Sequence, residues 1–417
     1  MQAQELALKL IERRLDALNF FLADVRGGLG AFVSVFLVSA AGWTPGEIGA
    51  VLTVSGLLGI AFHTPIGALI DAAAAKRWLI AVAVVLLAIC AVAIERSPSG
   101  PVVFAADVTM AVLGGVFAPT VAALTLGLVA DRDLPRRLAR NAVFDRIGNV
   151  SIATLIGVMG WWFSQAATFY LIPVFAALSA WVVLGIPQAA IDQDRARGFT
   201  ARQIVRRPHS AWQLLTQNKS LALLALIAAA FHFANAAMLP LVGQKLALAH
   251  PGFETALMSA CILISQLVTI PVALYIGART GVLGQKALLA AACTALTMRG
   301  LAFAWFDNPF LLVGAQILDG VAAGIWDVIL PLMLAEFVAG SGRYSMSRGV
   351  VGTVQGVGGS LSNVVAGTIV NWAGYGVAFA VLAAVAVASL ALVALLSDPE
   401  RAGTGRLAVD SDLDGLG

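Results

Sequence analysis

The chain has 417 residues, of which 60% are hydrophobic and 12% charged, with a mean hydropathy of +0.90 and a formal net charge of +3. Soluble globular chains run nearer half apolar and a quarter charged; this composition excludes a single water-solvated core and calls for a lipid solvent. The basic run from Arg195 to Arg207 has almost no aromatic residues interleaved with it, which argues against a nucleic-acid partner. With no Walker loop and no zinc-type Cys/His spacing, an ATP-driven pump or an enzyme is not expected.

Residues 1–16 read as a charged, amphipathic cytoplasmic lead-in with Leu6, Leu10 and Ile11 on one helical face, and no cleavable signal peptide is expected. A bilayer core of about 30 Å needs roughly 20 apolar residues per helix. Runs of that kind follow at 17–41, 45–70, 78–95, 102–129, 142–164 and 167–187. Residues 188–218 are the one long polar stretch between runs. Six more lie at 219–243, 253–276, 285–306, 308–338, 349–371 and 374–396, before an acidic tail, 398–417, expected to be disordered. The runs are continuous, whereas barrel strands would alternate over about 10 residues. The fold class is therefore an all-α integral membrane protein of twelve transmembrane helices. Residues 17–187 and 219–397 form two six-helix bundles joined by a cytoplasmic linker.

Lys and Arg total 26, and all but Arg26, Arg96, Lys245 and Arg299 fall in or at the edge of the N-terminal tail, the even-to-odd loops or the C-terminal tail. The positive-inside rule then places both termini in the cytoplasm. Cys90, Cys261 and Cys293 sit in separate runs at unrelated spacings and read as packing residues.

The halves repeat. Gly67, Lys76 and Leu79 of GALIDAAAAKRWL recur as Gly277, Lys286 and Leu289 of GARTGVLGQKALL, each shifted by 210. Asp107 precedes Pro119 by the interval at which Asp319 precedes Pro331, and Ala23-Asp24 aligns with Ala234-Asn235. Parallel six-helix repeats are a transporter architecture with the substrate site at the midplane between halves.

Residues 67–79 resemble the loop motif of the major facilitator superfamily, Gly-x-Leu-Ala-Asp-Arg-x-Gly-Arg-Lys-x-x-Leu, at Gly67, Leu69, Asp71, Lys76 and Leu79, with alanines at 72, 74 and 75. The resemblance implies secondary transport of a small molecule by alternating access, without a cofactor, by a monomer in the bacterial cytoplasmic (inner) membrane. It also implies a conformational latch at Gly67, Asp71 and Lys76, Asp71 meeting the start of the helix that carries residues 342–349 when the cytoplasmic side closes. The fourth helix has Asp107 but no arginine and the fifth lacks a proline, so the drug–proton antiporter subclass does not follow.

A carboxylate at mid-membrane costs about 2.5–3.5 kcal/mol on insertion scales. Asp24, Asp107, Asp319 and Asp327 all lie within runs, against Arg26 and Arg299, with His63, His232, Asn235, Gln266, Gln316, Gln355 and Asn363 as polar companions. These residues are expected to face the proton-coupling or substrate cavity. Asp24 and His63 lie at similar depth on adjacent helices, roughly 10 Å from the cytoplasmic ends at about 1.5 Å per residue. They are the leading proton-coupling pair, with a structural hydrogen bond as the alternative. Arg26 points away from Asp24 and either pairs elsewhere, snorkels or binds a substrate anion. His232 and Asn235 share a face of the seventh helix; Gln316, Asp319 and Asp327 lie towards one side of the tenth. A metal site would need Asp24, His63, His232 and Asp327 to converge, which no spacing indicates, so none is assigned. Gly352, Gly356 and Gly359 have small-residue spacing for close helix contact, as do Gly27, Gly28 and Gly30 in the first helix. The expectation is proton-coupled export of a small organic solute, the alternative being proton-linked uptake of a nutrient, metal ion or metal chelate.

Overall fold

The computed structural model describes residues 2–23, 29–73, 75–130, 133–196, 218–279, 284–338 and 344–396. Asp24 and Arg26, most of the linker and the acidic tail lie outside the described residues. Helix α1 (Gln2–Leu22) runs unbroken across the expected boundary at residue 16. Leu15, Leu18 and Leu22, one helical turn apart, form a single buried face through it. Helices α2 (Leu29–Ser39), α3 (Pro45–Ala72), α4 (Lys76–Arg96), α5 (Gly100–Leu128) and α6 (Leu134–Trp162) follow, then α7 (Gln165–Phe169), α8 (Leu171–Leu184) and the one-turn α9 (Gln193–Ala196). After the linker come α10 (Lys219–Ala236), α11 (Met238–Ala249), α12 (Glu254–Arg279), α13 (Gln285–Trp305), α14 (Pro309–Gly314), α15 (Gln316–Phe337) and α16 (Tyr344–Ala394).

Among the described residues, 10 helical stretches are long and apolar enough to cross a membrane, against twelve expected. Two local features account for the difference. Of the first expected span, the described residues leave Gly30–Ser39 as an apolar but short helix. The last two expected spans are joined in α16, which bends at Gly374 (φ 83°, ψ 171°), a backbone conformation that only glycine adopts readily. Elsewhere the ends are set by local chemistry. Thr44 and Glu47 form a reciprocal capping box with Pro45 in the first turn of α3, and Asn308 caps α14 ahead of Pro309. Helix α6 begins well before the expected residue 142, so Arg136, Arg137 and Arg140 are helical.

The buried apolar residues form one large cluster drawn from 15–196 and another from 221–396. A small third cluster, with Phe32, Val35, Ile152, Ile156, Ala247 and Met258, bridges them. The repeat reaches into the helix ends. Arg77 at the start of α4 donates to the carbonyls of Leu184 and Ile186, which end α8. Lys286 at the start of α13 donates to those of Ala394 and Leu396, which end α16, at 2.9 and 2.6 Å. The acceptors are related by the same shift of 210. Both cations neutralise carbonyls that a helix C-terminus leaves unpaired. At the opposite end of the molecule Trp162, Trp305 and Trp372 are 71%, 74% and 86% exposed, an aromatic belt of the kind that marks a lipid–water interface.

Candidate functional site

The halves meet along three seams, all weighted to the end far from the linker. In the first, α3 runs against α16. A Cβ on Gly49 would overlap the Asn363 carbonyl, and one on Gly367 the Pro45 carbonyl. Thr53 Oγ1 donates to Ser360 O at 2.6 Å and accepts from Val364 N at 3.0 Å. In the second, Gly157 and Gly160 of α6 lie against Ser259 and Thr255 of α12. In the third, Gln244 of α11 donates to Ser34 of α2 at 2.6 Å. Towards the linker end the first seam stops where Gly356 meets Ile60. Gly352, expected in close helix contact, has no neighbouring atom within 4 Å of the place a Cβ would take. The halves part there.

In that opening lies a cavity of about 280 Å³, lined by His232, Trp326, Asp327, Arg348, Gly352 and Gln355 together with apolar residues of α15. Phe231 stacks on Trp326, ring centroids 4.3 Å apart and 11° from parallel, and the His232 ring stands edge-on to the same indole at 5.0 Å. His232 Nδ1 lies 3.1 Å from the Ala228 carbonyl oxygen, so Nδ1 carries the proton. From the other half Arg146 of α6 reaches across, donating to Asp327 Oδ2 at 3.0 Å and to Gln266 Oε1 at 2.8 Å. Both ion-pair partners are part-exposed, at 37% and 48% of their side chains.

A second polar group is enclosed within the later half. Arg299 of α13, 1% exposed, pairs with Asp319 at 2.8 Å and donates to Asn235 Oδ1 at 2.5 Å and Gln316 Oε1 at 2.8 Å. Its guanidinium carbon lies 5.2 Å from the Phe303 ring centroid, and Ser265 Oγ donates to the other Asp319 oxygen at 2.6 Å. The expected shared faces therefore divide. His232 lines the cavity while Asn235 serves Arg299. Asp319 joins Gln316 on Arg299 while Asp327 crosses to Arg146, because eight residues at about 100° each leave the two carboxylates roughly 80° apart.

The earlier half has a related but simpler arrangement. Asp107 is buried in α5 and its Oδ2 contacts Ser55 Oγ of α3. That hydroxyl also lies 2.6 Å from the Val51 carbonyl oxygen. Ser55 has one proton to give and two acceptors in reach. Among the described residues Asp107 has no cation partner.

Of the other expected site residues, Asp24 and Arg26 lie outside the described residues, as does any contact between Asp24 and His63. His63 is exposed on α3, with Gly115 of α5 beside its ring. Gly67 borders open space. Lys76 is buried and donates to the Ala73 carbonyl in its own half at 2.9 Å, while the Asp71 side chain and residues 339–343 are not among those described. No group of three His, Cys, Asp or Glu side chains able to hold a metal comes together among the described residues.

Two clusters escape a reading of the sequence. Arg146 passes there for a residue of the cytoplasmic edge, although it lies inside the run 142–164 and three residues from Asn149. Asp16 passes for part of the lead-in; it is 5% exposed and receives Arg137 and Arg140 of α6, each at 2.6 Å, fastening α1 to that helix. Arg137 also donates to Asn141, which reaches Thr125. The signal for this cluster is Arg137, Arg140 and Asn141 at helical spacing just before an apolar run.

Two helical halves that close on each other at one end, with a polar cavity of the later half beside the open end, have the build of a membrane carrier. The chain matches the family model of the Major Facilitator Superfamily over residues 16–309. It is 41% identical over 407 residues to proteins described as uncharacterized MFS-type transporters in two strains of Mycobacterium tuberculosis, covering 97% of this chain and 95% of theirs. Crystal structures of the nucleoside transporter NupG share the fold. One, of an aspartate-to-alanine mutant, has a TM-score of 0.77 at 15% identity over 93% of this chain and 99% of that one. Another has a TM-score of 0.75 at 17% identity, over 93% and 98%. This chain belongs to the Major Facilitator Superfamily and is a multi-pass membrane transporter with no enzymatic role.

Proposed function

We propose that the protein exports a small solute across the bacterial cytoplasmic membrane in exchange for protons, with residues 17–187 and 219–397 rocking about the cavity between them. The distribution of basic residues puts the termini and the linker in the cytoplasm. On that orientation the seams close the periplasmic side and the cavity opens inward, the state from which an exporter loads. Gly67, Asp71 and Lys76 would latch the opposite state, in which the cytoplasmic ends meet.

The observation that carries the coupling is the buried Ser55–Asp107 contact, with no cation beside the carboxyl group among the described residues. If the Ser55 hydroxyl serves Val51, the contact with Asp107 needs a proton on the carboxyl group. A buried anion without a cation is costly, so proton binding and release at Asp107 follow the access of water as the halves rock. Asp319, matched to Arg299, has no such freedom. A proton crossing one pH unit supplies about 1.4 kcal/mol, and a unit charge crossing 100 mV about 2.3 kcal/mol, enough to move a solute against a gradient.

The test uses purified protein in liposomes with an internal pH dye, challenged with pools of solutes. Solute-dependent proton movement should vanish in Asp107→Asn while solute-for-solute exchange persists. Asp24→Asn, measured beside it, reads the second carboxylate, the one expected to pair with His63. Unchanged proton movement in both variants overturns the assignment of coupling to these two carboxylates, and no solute-dependent proton movement in the wild type overturns the coupling itself.

A further inference from the structure

We propose that the Arg146–Asp327 pair is the substrate-recognition element, and that it reads a small zwitterion, a solute carrying both an ammonium and a carboxylate group. The proposal rests on the carrier reading above and names its substrate class.

The argument starts from what each partner has left to offer. Arg146 and Asp327 are paired with each other and stand on different halves; Asp327 lines the cavity, and both side chains are part-exposed. A solute that enters must compete with this bond. A pure cation would take Asp327 and leave Arg146 without a counter-ion; a pure anion would do the reverse. The pair is part-exposed, so breaking it costs little, but a singly charged solute still leaves one of the two charges without its partner. A zwitterion exchanges one ion pair for two and strands neither charge.

The neighbouring dipoles sort the same way. Gln266 accepts from Arg146 through Oε1, so its Nε2 is the donor that remains beside the guanidinium. His232 has Nδ1 committed to Ala228, so the neutral ring offers Nε2 as an acceptor on the wall that holds Asp327. Beside the cavity stand a donor pair, Arg146 and Gln266, and an acceptor pair, Asp327 and His232, with Arg348 as a further cation on the cavity wall. The Phe231–Trp326 stack stiffens the wall behind them. A volume of about 280 Å³ suits a molecule of amino-acid size rather than a bulky drug. The other carboxylate of the later half, Asp319, is already held by Arg299 and Ser265.

The arrangement also links binding to movement. With the cavity empty, the halves are tied directly by Arg146–Asp327; with a zwitterion inserted, they are tied through the solute. The bound ligand therefore changes the spacing of the halves at the level of the cavity, which is the differential contact a conformational shift requires.

Binding to detergent-purified protein, read by thermal shift and titration calorimetry, tests this without transport or protons. It stays informative if the coupling proposal fails. The probes are leucine, phenylalanine and 5-aminovalerate, each beside its amide, which keeps only the cation, and its N-acetyl form, which keeps only the anion. At least one zwitterion should bind tenfold or more tightly than both of its derivatives. Asp327→Asn and Arg146→Gln should each abolish that preference, and Arg146→Lys, which keeps the charge, should retain part of it. Monodisperse elution and an unliganded melting transition establish that each variant is folded. A derivative that matches its zwitterion, or no zwitterion binding at millimolar concentration, overturns the proposal.

Discussion

Ser55 of α3 contacts the Asp107 carboxyl group of α5, and Ser265 of α12 donates to the Asp319 carboxylate of α15, so the serine–aspartate contact is repeated in the two halves. The serines are separated by the shift of 210 that relates the loop motifs. The difference lies in what completes each pair. Asp319 has Arg299 at 2.8 Å, while Asp107 has Ser55 alone among the described residues. Of the two carboxylates, Asp319 alone has a counter-ion among the described residues.

That difference predicts opposite tolerance to neutralisation. Asp319→Asn leaves the Arg299 guanidinium, 1% exposed, without its anion, and should cost about 3–5 kcal/mol. Asp107→Asn keeps the shape and a hydrogen-bonding group beside Ser55 and should cost under about 1.5 kcal/mol. Unfolding of the two purified variants in a common detergent decides it. Equal losses would mean that Asp107 has a cation among the residues not described.

A second prediction concerns the α3–α16 seam. Gly49→Val puts a branched side chain where only a hydrogen fits against the Asn363 backbone, and overpacking of this kind costs about 1–3 kcal/mol. The penalty falls on the closed seam alone, so the balance between the two access states should move by roughly tenfold or more, since about 1.4 kcal/mol is one decade. Spin labels at Arg96 and Trp372, both exposed and on different halves, should report a longer separation in a larger fraction of molecules. An unchanged distance distribution would show that α16 yields without opening the seam.

Much of the frame was legible in the amino-acid sequence because bilayer thickness forces long apolar runs, and ten stretches of them stand as helices. The repeat was legible through Lys76 and Lys286, yet the cation that meets the matching carbonyls in the earlier half is Arg77, one residue on, while Lys76 donates to Ala73. What hydropathy conceals is rotation about a helix axis. It shows that Asp327 is in a membrane run but not that it turns from Asp319 and Arg299 towards Arg146. Arg146 itself was hidden by its long stem, which allows a guanidinium near a helix end to be taken for one that snorkels to water. Small residues mislead in part: Gly352 fits the packing pattern yet borders open space, while Gly356 of the same pattern packs on Ile60 and further tight contacts fall at Gly49, Gly157, Gly160 and Gly367.

The last prediction concerns pH at the end far from the linker, where Lys245 lies 2.8 Å from Asp307. The hydrogen bond from Lys245, followed by its charge, holds the Asp307 carboxyl below the ordinary value of 3.8. A carboxyl group held low when folded stabilises the protein above its unfolded pKa, and that contribution is lost as pH falls through the folded value. Melting temperatures of the wild type and Asp307→Asn should therefore differ by a small constant amount from neutrality to about pH 5 and converge as pH falls through the lowered value of the folded state. Asp307 is 91% exposed on its side chain, so molar salt should shrink the gap at neutral pH as well. Lys245 keeps the Phe303 and Phe306 carbonyls at 3.2 and 2.8 Å in either protein, so Lys245→Met should destabilise more than Asp307→Asn. It should do so with little dependence on pH across the carboxylate range, because capping a helix end does not require Asp307 to be charged.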